Sequence, residues 1–305
     1  MTTAPSDKEA PHAFAARAFI RRSSRIVARL GTAQVTGASA TARDDRAPVL
    51  RRLSAQPAFV YLRTMAVFAA VWAAIAVWKA NPVLLPTPLA AFEAVVELAK
   101  SLELFEHAFI SLGRMALSLT IAAALAIPLG LLMGLHRRVD AIVDPLVELL
   151  RPISGIAWIP LALFIFGIGN ALPVFIMTYA AFFPILIGTV AGVRAVDRRL
   201  VDAARTMGVP MRRIVSHVVI PAALPSLLVA LRLGVATSWT AVVAAELIGA
   251  PSGVGYAVEW YRGLLMTPQV MAFIATIGVL GYLTDSLIRA STRRFTPWAA
   301  DPERP

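Results

Sequence analysis

Residues 152–193 read PISGIAWIPLALFIFGIGNALPVFIMTYAAFFPILIGTVAGV, without a single charged side chain from Pro152 to Val193. A helix crosses the hydrocarbon core of a bilayer in about 20 apolar residues, so this stretch is too long for one span. Gly167-Ile168-Gly169-Asn170 interrupts it with turn chemistry. The expected local structure is a tight helical hairpin, its first arm starting near Ala141 and its second running from Leu172 to Val193. That reading makes the chain an integral membrane protein built from helices.

The flanking sequence extends the pattern. Met115–Leu135 is a second apolar run, closed by His136-Arg137-Arg138, and Thr64–Trp78 lies uncharged between Arg63 and Lys79, reaching back through Tyr61 and Phe59. Pro221–Ile248 follows, opened by a proline at a favoured first helical position, and Val270–Ala290 is the last. The expected fold class is all-α with six transmembrane helices over 59–292. Between the first two spans, Thr87-Pro88 opens a shorter helix with Leu89, Phe92, Val96 and Ala99 along one side and Glu93, Glu97 and Lys100 on the other. It is too short and too charged to span, and its period suits packing on the bundle or the surface.

Composition agrees, with 58% hydrophobic and only 15% charged residues among 305 and a mean hydropathy of +0.71; soluble domains carry about a quarter charged residues. The net charge of +11 could mark a nucleic-acid binder, but its placement argues otherwise. Lys and Arg gather in the first 58 residues, at Arg137 and Arg138, between Arg194 and Arg213, and at Arg293, Arg294 and Arg304. The opposite loops hold only Lys79, Lys100, Arg262 and Arg114. By the positive-inside rule both termini are cytoplasmic. Residues 1–58 are read as a basic, disordered cytoplasmic tail, with an interfacial helix around Ala13–Leu30 as the alternative, and 293–305 as a second cytoplasmic tail.

Several chemistries are excluded. Without cysteine there are no disulfides, thiolate metal sites or cysteine nucleophiles. His12, His107, His136 and His217 are scattered, and Lys8, Lys79 and Lys100 do not follow glycine, so the phosphate-cradling loop that ends Gly-Lys-Ser/Thr is missing. The chain is not read as an enzyme, and any ATP-driven work falls to another chain. A stand-alone secondary transporter or channel calls for inverted repeats and intramembrane carboxylates for ion coupling, which the sequence does not display.

The most informative inner loop is Arg194–Pro221, RAVDRRLVDAARTMGVPMRRIVSHVVIP. Leu200, Ala204 and Met207 fall on one helical face, with Arg198, Arg199, Asp202 and Arg205 around them. Gly208 stands at a helix-ending position and Pro210 starts the next element. A helix of about ten residues is marginal alone in water, so it either rests on the membrane or docks its apolar stripe on a partner. Asp202 has Arg198, Arg199 and Arg205 within three or four residues for pairing.

Asp202-Ala203-Ala204, Gly208, Val218, Ile220 and Pro221 resemble the "EAA" signature of permease subunits of bacterial ATP-binding-cassette importers. The departures are Asp for Glu at 202, Val for Ile at 218 and Ile for Leu at 220, which keep charge and apolar character. The resemblance runs from about residue 60 to the C-terminus. Arg151-Pro152, Ala157-Trp158-Ile159-Pro160-Leu161, Phe166-Gly167-Ile168-Gly169, Pro221-Ala222-Ala223-Leu224-Pro225, Leu231-Arg232-Leu233 and Ala244-Ala245-Glu246-Leu247-Ile248 are similar to the nitrate, sulfonate and taurine branch; Arg293-Arg294-Phe295-Thr296-Pro297-Trp298 looks most like the taurine type.

The resemblance implies a type I importer fold in the bacterial inner membrane, a homodimer of this subunit and two copies of an ATPase subunit that carry ATP and Mg. A periplasmic binding protein would deliver substrate near Glu246–Gly255 and the loop after span one, and no nucleic acid is a partner. The coupling segment is 195–220, with Arg199, Asp202, Ala203, Ala204, Arg205, Met207, Gly208 and Pro221 as its candidate residues. Aliphatic sulfonate or taurine is the expected cargo, with nitrate or another small organic substrate as the alternative.

Candidate translocation-pathway residues are Arg151, Trp158, Arg232 and Glu246. Arg232 lies eleven residues beyond Pro221 and Arg151 about ten into the third span, depths at which charge is costly and faces the bundle interior. They either give the pathway a positive potential or form ion pairs, with Glu148 or Asp144 as partners. Glu246, at the outer end of span five, either caps the pathway or meets solvent. Gly253 and Gly255 read as a loop turn, and Trp158 reads as an interfacial or packing residue as well as a pathway one.

Overall fold

A computed structural model describes residues 57–296. The basic tail, the Ala13–Leu30 segment and the last residues of the C-terminal tail lie outside the described residues. Residues 57–66 form part of one unit and residues from Val67 onward another. Helix α1 (Pro57–Lys79) crosses that boundary; in its first unit Thr64 Oγ1 donates to the Val60 carbonyl at 2.9 Å.

Among the described residues there is no strand. After α1 come α2 (Pro88–Lys100), α3 (Glu103–Leu135), α4 (Arg137–Leu150), a 3₁₀ turn at Gly155–Trp158, α5 (Ile159–Phe166) and α6 (Ala171–Arg194). Then follow α7 (Arg198–Thr206), α8 (Met211–Ile214), a π segment at Val215–Val219, α9 (Ile220–Gly249), α10 (Val254–Gly263) and α11 (Thr267–Phe295). Among the described residues four helical rods are long and apolar enough to cross a membrane: α3, α6, the continuous 211–249 rod and α11. The bent pair α4 plus 155–166 makes a fifth if it counts as one span.

Three sequence expectations change here. The first hairpin arm is not one helix, because the chain turns by 81° between α4 and the 155–166 helix. Pro152 has no N–H to continue α4 and disfavours a helical residue before it. Ser154 then caps a fresh turn by accepting from the Ile156 N–H. Arg151 therefore sits at a break, exposed, rather than ten residues deep in a span. Pro221 does not start its rod, which continues back through the π segment to Met211. Helix α2 begins at the expected Thr87 cap but buries Ala91, Ala94 and Leu98, leaving Leu89 and Phe92 exposed. Its other apolar stripe packs because small Ala residues let it approach α3 and α11, in one cluster with Ala108, Val254, Val258 and Phe273.

The centre of the bundle is α6, lying against α3 on one side and α9 on the other. Small residues set these distances, as is usual where lipid supplies no hydrophobic drive between helices. A Cβ on Gly188 would meet the Ala230 Cβ at 2.3 Å, and one on Gly130 would meet the Thr189 Cβ at 2.7 Å. Leu172, Ile176, Met177, Ile185 and Leu186 of α6 are completely buried.

Candidate functional site

Segment 195–220 is built from its caps. Asp197 accepts from the Arg199 N–H at 2.9 Å and starts α7. The far end closes with two backbone bonds, Gly208 N–H to the Arg205 carbonyl at 2.9 Å and Val209 N–H to the Ala204 carbonyl at 3.1 Å. This double closure needs a residue of positive φ, and Gly208 has φ +75°. Pro210 then leads into α8 in extended geometry.

Ala204 packs with Val193, Ile214, Val219 and Ala223, so the loop is seated on the ends of α6 and α9. The three residues expected on one apolar face are parted. Ala204 is buried, whereas Leu200 is 54% and Met207 75% exposed. Arg199, Asp202, Ala203 and Arg205 are exposed as well, and Asp202 faces Arg205 at 3.9 Å. The seated helix thus leaves a leucine, a methionine and several arginines uncovered. Pro221 stands just past the π segment, where the wider helical turn is a recurrent feature of functional sites.

A second feature is a cavity of about 550 Å³ between the 151–156 link, α6 and α9. Its lining is mostly apolar, with Ile153, Ile156, Phe183, Ile187 and Leu233 beside Arg151, Ser154, Tyr179, Thr237 and Thr240. Arg151 forms no ion pair with Asp144 or Glu148. Trp158 is not in the lining but stands behind it, its ring 5.8 Å from that of Tyr179, and its indole N–H has no acceptor among the described residues.

The other two pathway candidates lie elsewhere. Arg232 clasps Asp285 of α11 through Nε and Nη2, and Arg289 joins the same carboxylate at 2.9 Å. Glu246 meets no solvent: it is completely buried, and Arg114, at 5% exposure, donates to it at 2.8 Å. Ser111 donates to Glu246 as well, and the Gly255 N–H reaches it at 2.9 Å. Arg114 also grips Asn170 Oδ1 at 2.6 Å, Ser252 Oγ at 2.7 Å and the Ser252 carbonyl at 2.6 Å. Gly253, at φ +106°, lies so close that a Cβ there would strike the Glu246 carboxylate. The knot ties α3, the start of α6, the end of α9 and the α10 entry together.

Charge counting places Arg114 on the outer side, and the structure buries it within α3. The signal for its true place was its isolation among apolar residues from Leu112 to Leu135, since an intramembrane cation usually has a nearby anion. Tyr261 of α10 donates to Glu103 at the start of α3 at 2.8 Å, and burial together with that carboxylate pushes its phenol up to about 12. Among the described residues no group of three or more His, Asp or Glu could hold a metal ion.

Residues 126–297 match the binding-protein-dependent transport system inner membrane component family. An ABC transporter permease protein of Methanocaldococcus jannaschii is 38% identical over 75% of this chain and 87% of its own length. The taurine transport system permease protein of Escherichia coli is 36% identical over 77% and 88%. An aliphatic sulfonates transport permease protein of Bacillus subtilis is 36% identical over 76% of this chain. A crystal structure of an amino acid ABC transporter shares the fold with a TM-score of 0.52 at 16% identity, covering 67% of this chain and 97% of its own.

The class defined by these observations is an all-helical, non-enzymatic membrane component of an ATP-binding-cassette importer. The chain belongs to the binding-protein-dependent transport permease family, as the EAA-like residues 202–221 indicated.

Proposed function

We propose that this chain is the membrane-spanning half of an importer in the bacterial inner membrane, working as a homodimer with two ATPase subunits and a periplasmic binding protein. ATP and Mg bind the ATPases, and their closure moves α7 and rocks the spans between inward- and outward-open states. The carrying observation is the geometry of α7, which is capped at both ends and seated through Ala204, yet leaves Leu200 and Met207 exposed. Six spans with both termini cytoplasmic complete the reading, α1 serving as the first; its 23 residues reach about 34 Å at 1.5 Å each.

Within this reading Arg199, Asp202, Ala203, Arg205, Met207 and Gly208 form the coupling surface. Arg151 lines the pathway, with Trp158 behind it, while Arg232 and Glu246 hold helices together beside it. The cargo is a small anion. The names of the taurine and sulfonate relatives support a sulfonate, and a bicarbonate permease of Synechococcus elongatus, 35% identical over 61% of this chain, supports the inorganic alternative.

The chain has no native cysteine, so Leu200→Cys and Met207→Cys give single labelling sites. In inside-out vesicles both are expected to cross-link to a cysteine-bearing ATPase subunit. Labelling from the periplasmic face instead, or a purified chain that transports without an ATPase, refutes the proposal.

A further inference from the structure

We infer that His107 is a positioning residue with a proton-sensitive grip: neutral, it seats the 252–255 turn against α3, and protonated, it lets the turn go. Helix α3 presents Glu103, His107, Ser111 and Arg114 along one stripe, at helical spacing. The last three each hold a successive part of the turn. Arg114 donates to the Ser252 carbonyl at 2.6 Å, the Gly253 N–H donates to His107 Nδ1 at 3.1 Å, and the Val254 N–H donates to Ser111 Oγ at 2.8 Å. The Gly253 carbonyl then accepts from the Ala257 N–H at 3.0 Å and opens α10.

Of these holds only the histidine is of a kind that changes charge between about pH 5 and pH 8. A backbone N–H can only donate, so Nδ1 is its acceptor and carries no proton. The proton of the neutral ring is therefore on Nε2, which faces the Glu103 carboxylate at 3.9 Å, too far for a hydrogen bond. The His107 side chain is 14% and that of Glu103 34% exposed, so solvent protons reach the ring beside Glu103.

A second proton on the imidazole sits on Nδ1, where it meets the Gly253 N–H donor to donor. The same charge draws Nε2 toward Glu103. The ring exchanges one partner for the other, and the buried Gly253 N–H loses its acceptor. The other neighbours leave that choice to Glu103, which also accepts from Tyr261 of α10 at 2.8 Å. Tyr256 of α10 and Phe273 of α11 pack their rings 6.0 and 5.8 Å from the imidazole. Glu106 of α3 and Glu93, Glu97 and Lys100 of α2 are exposed. Glu259 and Arg262 of α10 pair with each other, and α11 carries no ionisable side chain before Tyr282. Because Gly253 lies against the Glu246 carboxylate, a released turn loosens the joint of α3, α9 and α10. The importer reading puts this joint at the outer face, which makes external acidity the signal; the grip itself does not rest on that reading.

The full chain in lipid nanodiscs tests this through amide exchange of the peptide spanning Ser252–Tyr256, followed from about pH 8 to about pH 5. His107→Asn offers an amide oxygen near the Nδ1 position and does not titrate, so comparison at equal pH cancels the chemistry of exchange itself. The two proteins are expected to agree within about twofold at the upper end, and the parent to exchange about tenfold faster at the lower end. Glu103→Gln removes the attraction for the charged ring and should move the transition to lower pH.

Equal exchange in the parent and His107→Asn at the acid end overturns the inference, as does a Glu103→Gln transition at unchanged or higher pH. A second measurement does not depend on His107→Asn folding. With His12, His136 and His217 replaced by Gln, a single labelled imidazole remains, and its titration by nuclear magnetic resonance should coincide with the rise in exchange. An imidazole that titrates without that rise, or that stays neutral to about pH 5, also refutes the grip. Exchange needs neither ATPase nor cargo, so these failures are separate from failure of the importer reading.

Discussion

Replacing Glu246 with alanine strands three donors at once: the Ser111 hydroxyl, the Gly255 N–H and the guanidinium of Arg114. Removing one partner of a buried ion pair costs about 3–5 kcal/mol, because the surviving charge is left uncompensated. Arg114 keeps Asn170 Oδ1 and both oxygens of Ser252, which places the expected loss near the lower end, about 3 kcal/mol. Glu246→Gln retains an acceptor oxygen and loses only the charge, so about 1.5–3 kcal/mol is expected.

The decisive comparison is the double variant Arg114→Met with Glu246→Leu, which removes both charges and replaces them with apolar volume. Its cost should fall below the sum of the two single losses by about 2 kcal/mol. Equilibrium unfolding in mixed micelles measures the parent, Glu246→Ala, Glu246→Gln, the single variants Arg114→Met and Glu246→Leu, and the double. An alanine variant within about 1 kcal/mol of the parent would show that water reaches the knot. Strict additivity in the double variant would equally refute the pairing as its source of stability.

At the close approach of α6 and α9, Gly188→Ala should cost about 1–3 kcal/mol through overpacking against Ala230; adding Ala230→Gly should recover most of it in the same unfolding measurement. Gly208→Val forces a β-branched residue into positive φ and should cost about 1–2 kcal/mol, with Gly208→Asn milder; limited proteolysis between α7 and α8 is the readout. Tyr261, held up to about 12 against an ordinary value of 10.0, contributes stability that is fully present below pH 10 and fades as pH rises from there toward 12. Thermal denaturation across that interval should show the decline, and Tyr261→Phe should abolish it; an unchanged slope in the variant argues for another titrating group.

Much of this protein could be read one residue at a time. The runs from Met115 to Leu135 and from Pro221 to Ile248 announced themselves as spans because a bilayer demands length and low polarity, both local properties. The Thr87 cap, the turn at Gly167–Asn170 and the stop at Gly208 were equally legible, since each answers a backbone need with a particular side chain or its absence. The break after Leu150 had its signal in Pro152 as well, though the uncharged run masked it.

The faces were not legible. A helix in lipid shows apolar residues to membrane and protein alike, so periodicity could not choose Ala91, Ala94 and Leu98 over Leu89 and Phe92. Nor could it seat Ala204 while leaving Leu200 and Met207 uncovered. Partners stayed hidden for a related reason. Arg114 and Glu246 are 132 residues apart, and Arg232 chose Asp285, 53 residues away, over nearer carboxylates. Sequence alone determined that this chain lives in a membrane, where it turns, and that the segment from Arg194 to Pro221 carries a helix–glycine–proline device. Only tertiary packing decided which charges meet, because a buried charge selects its counter-ion by distance in space after the helices have docked.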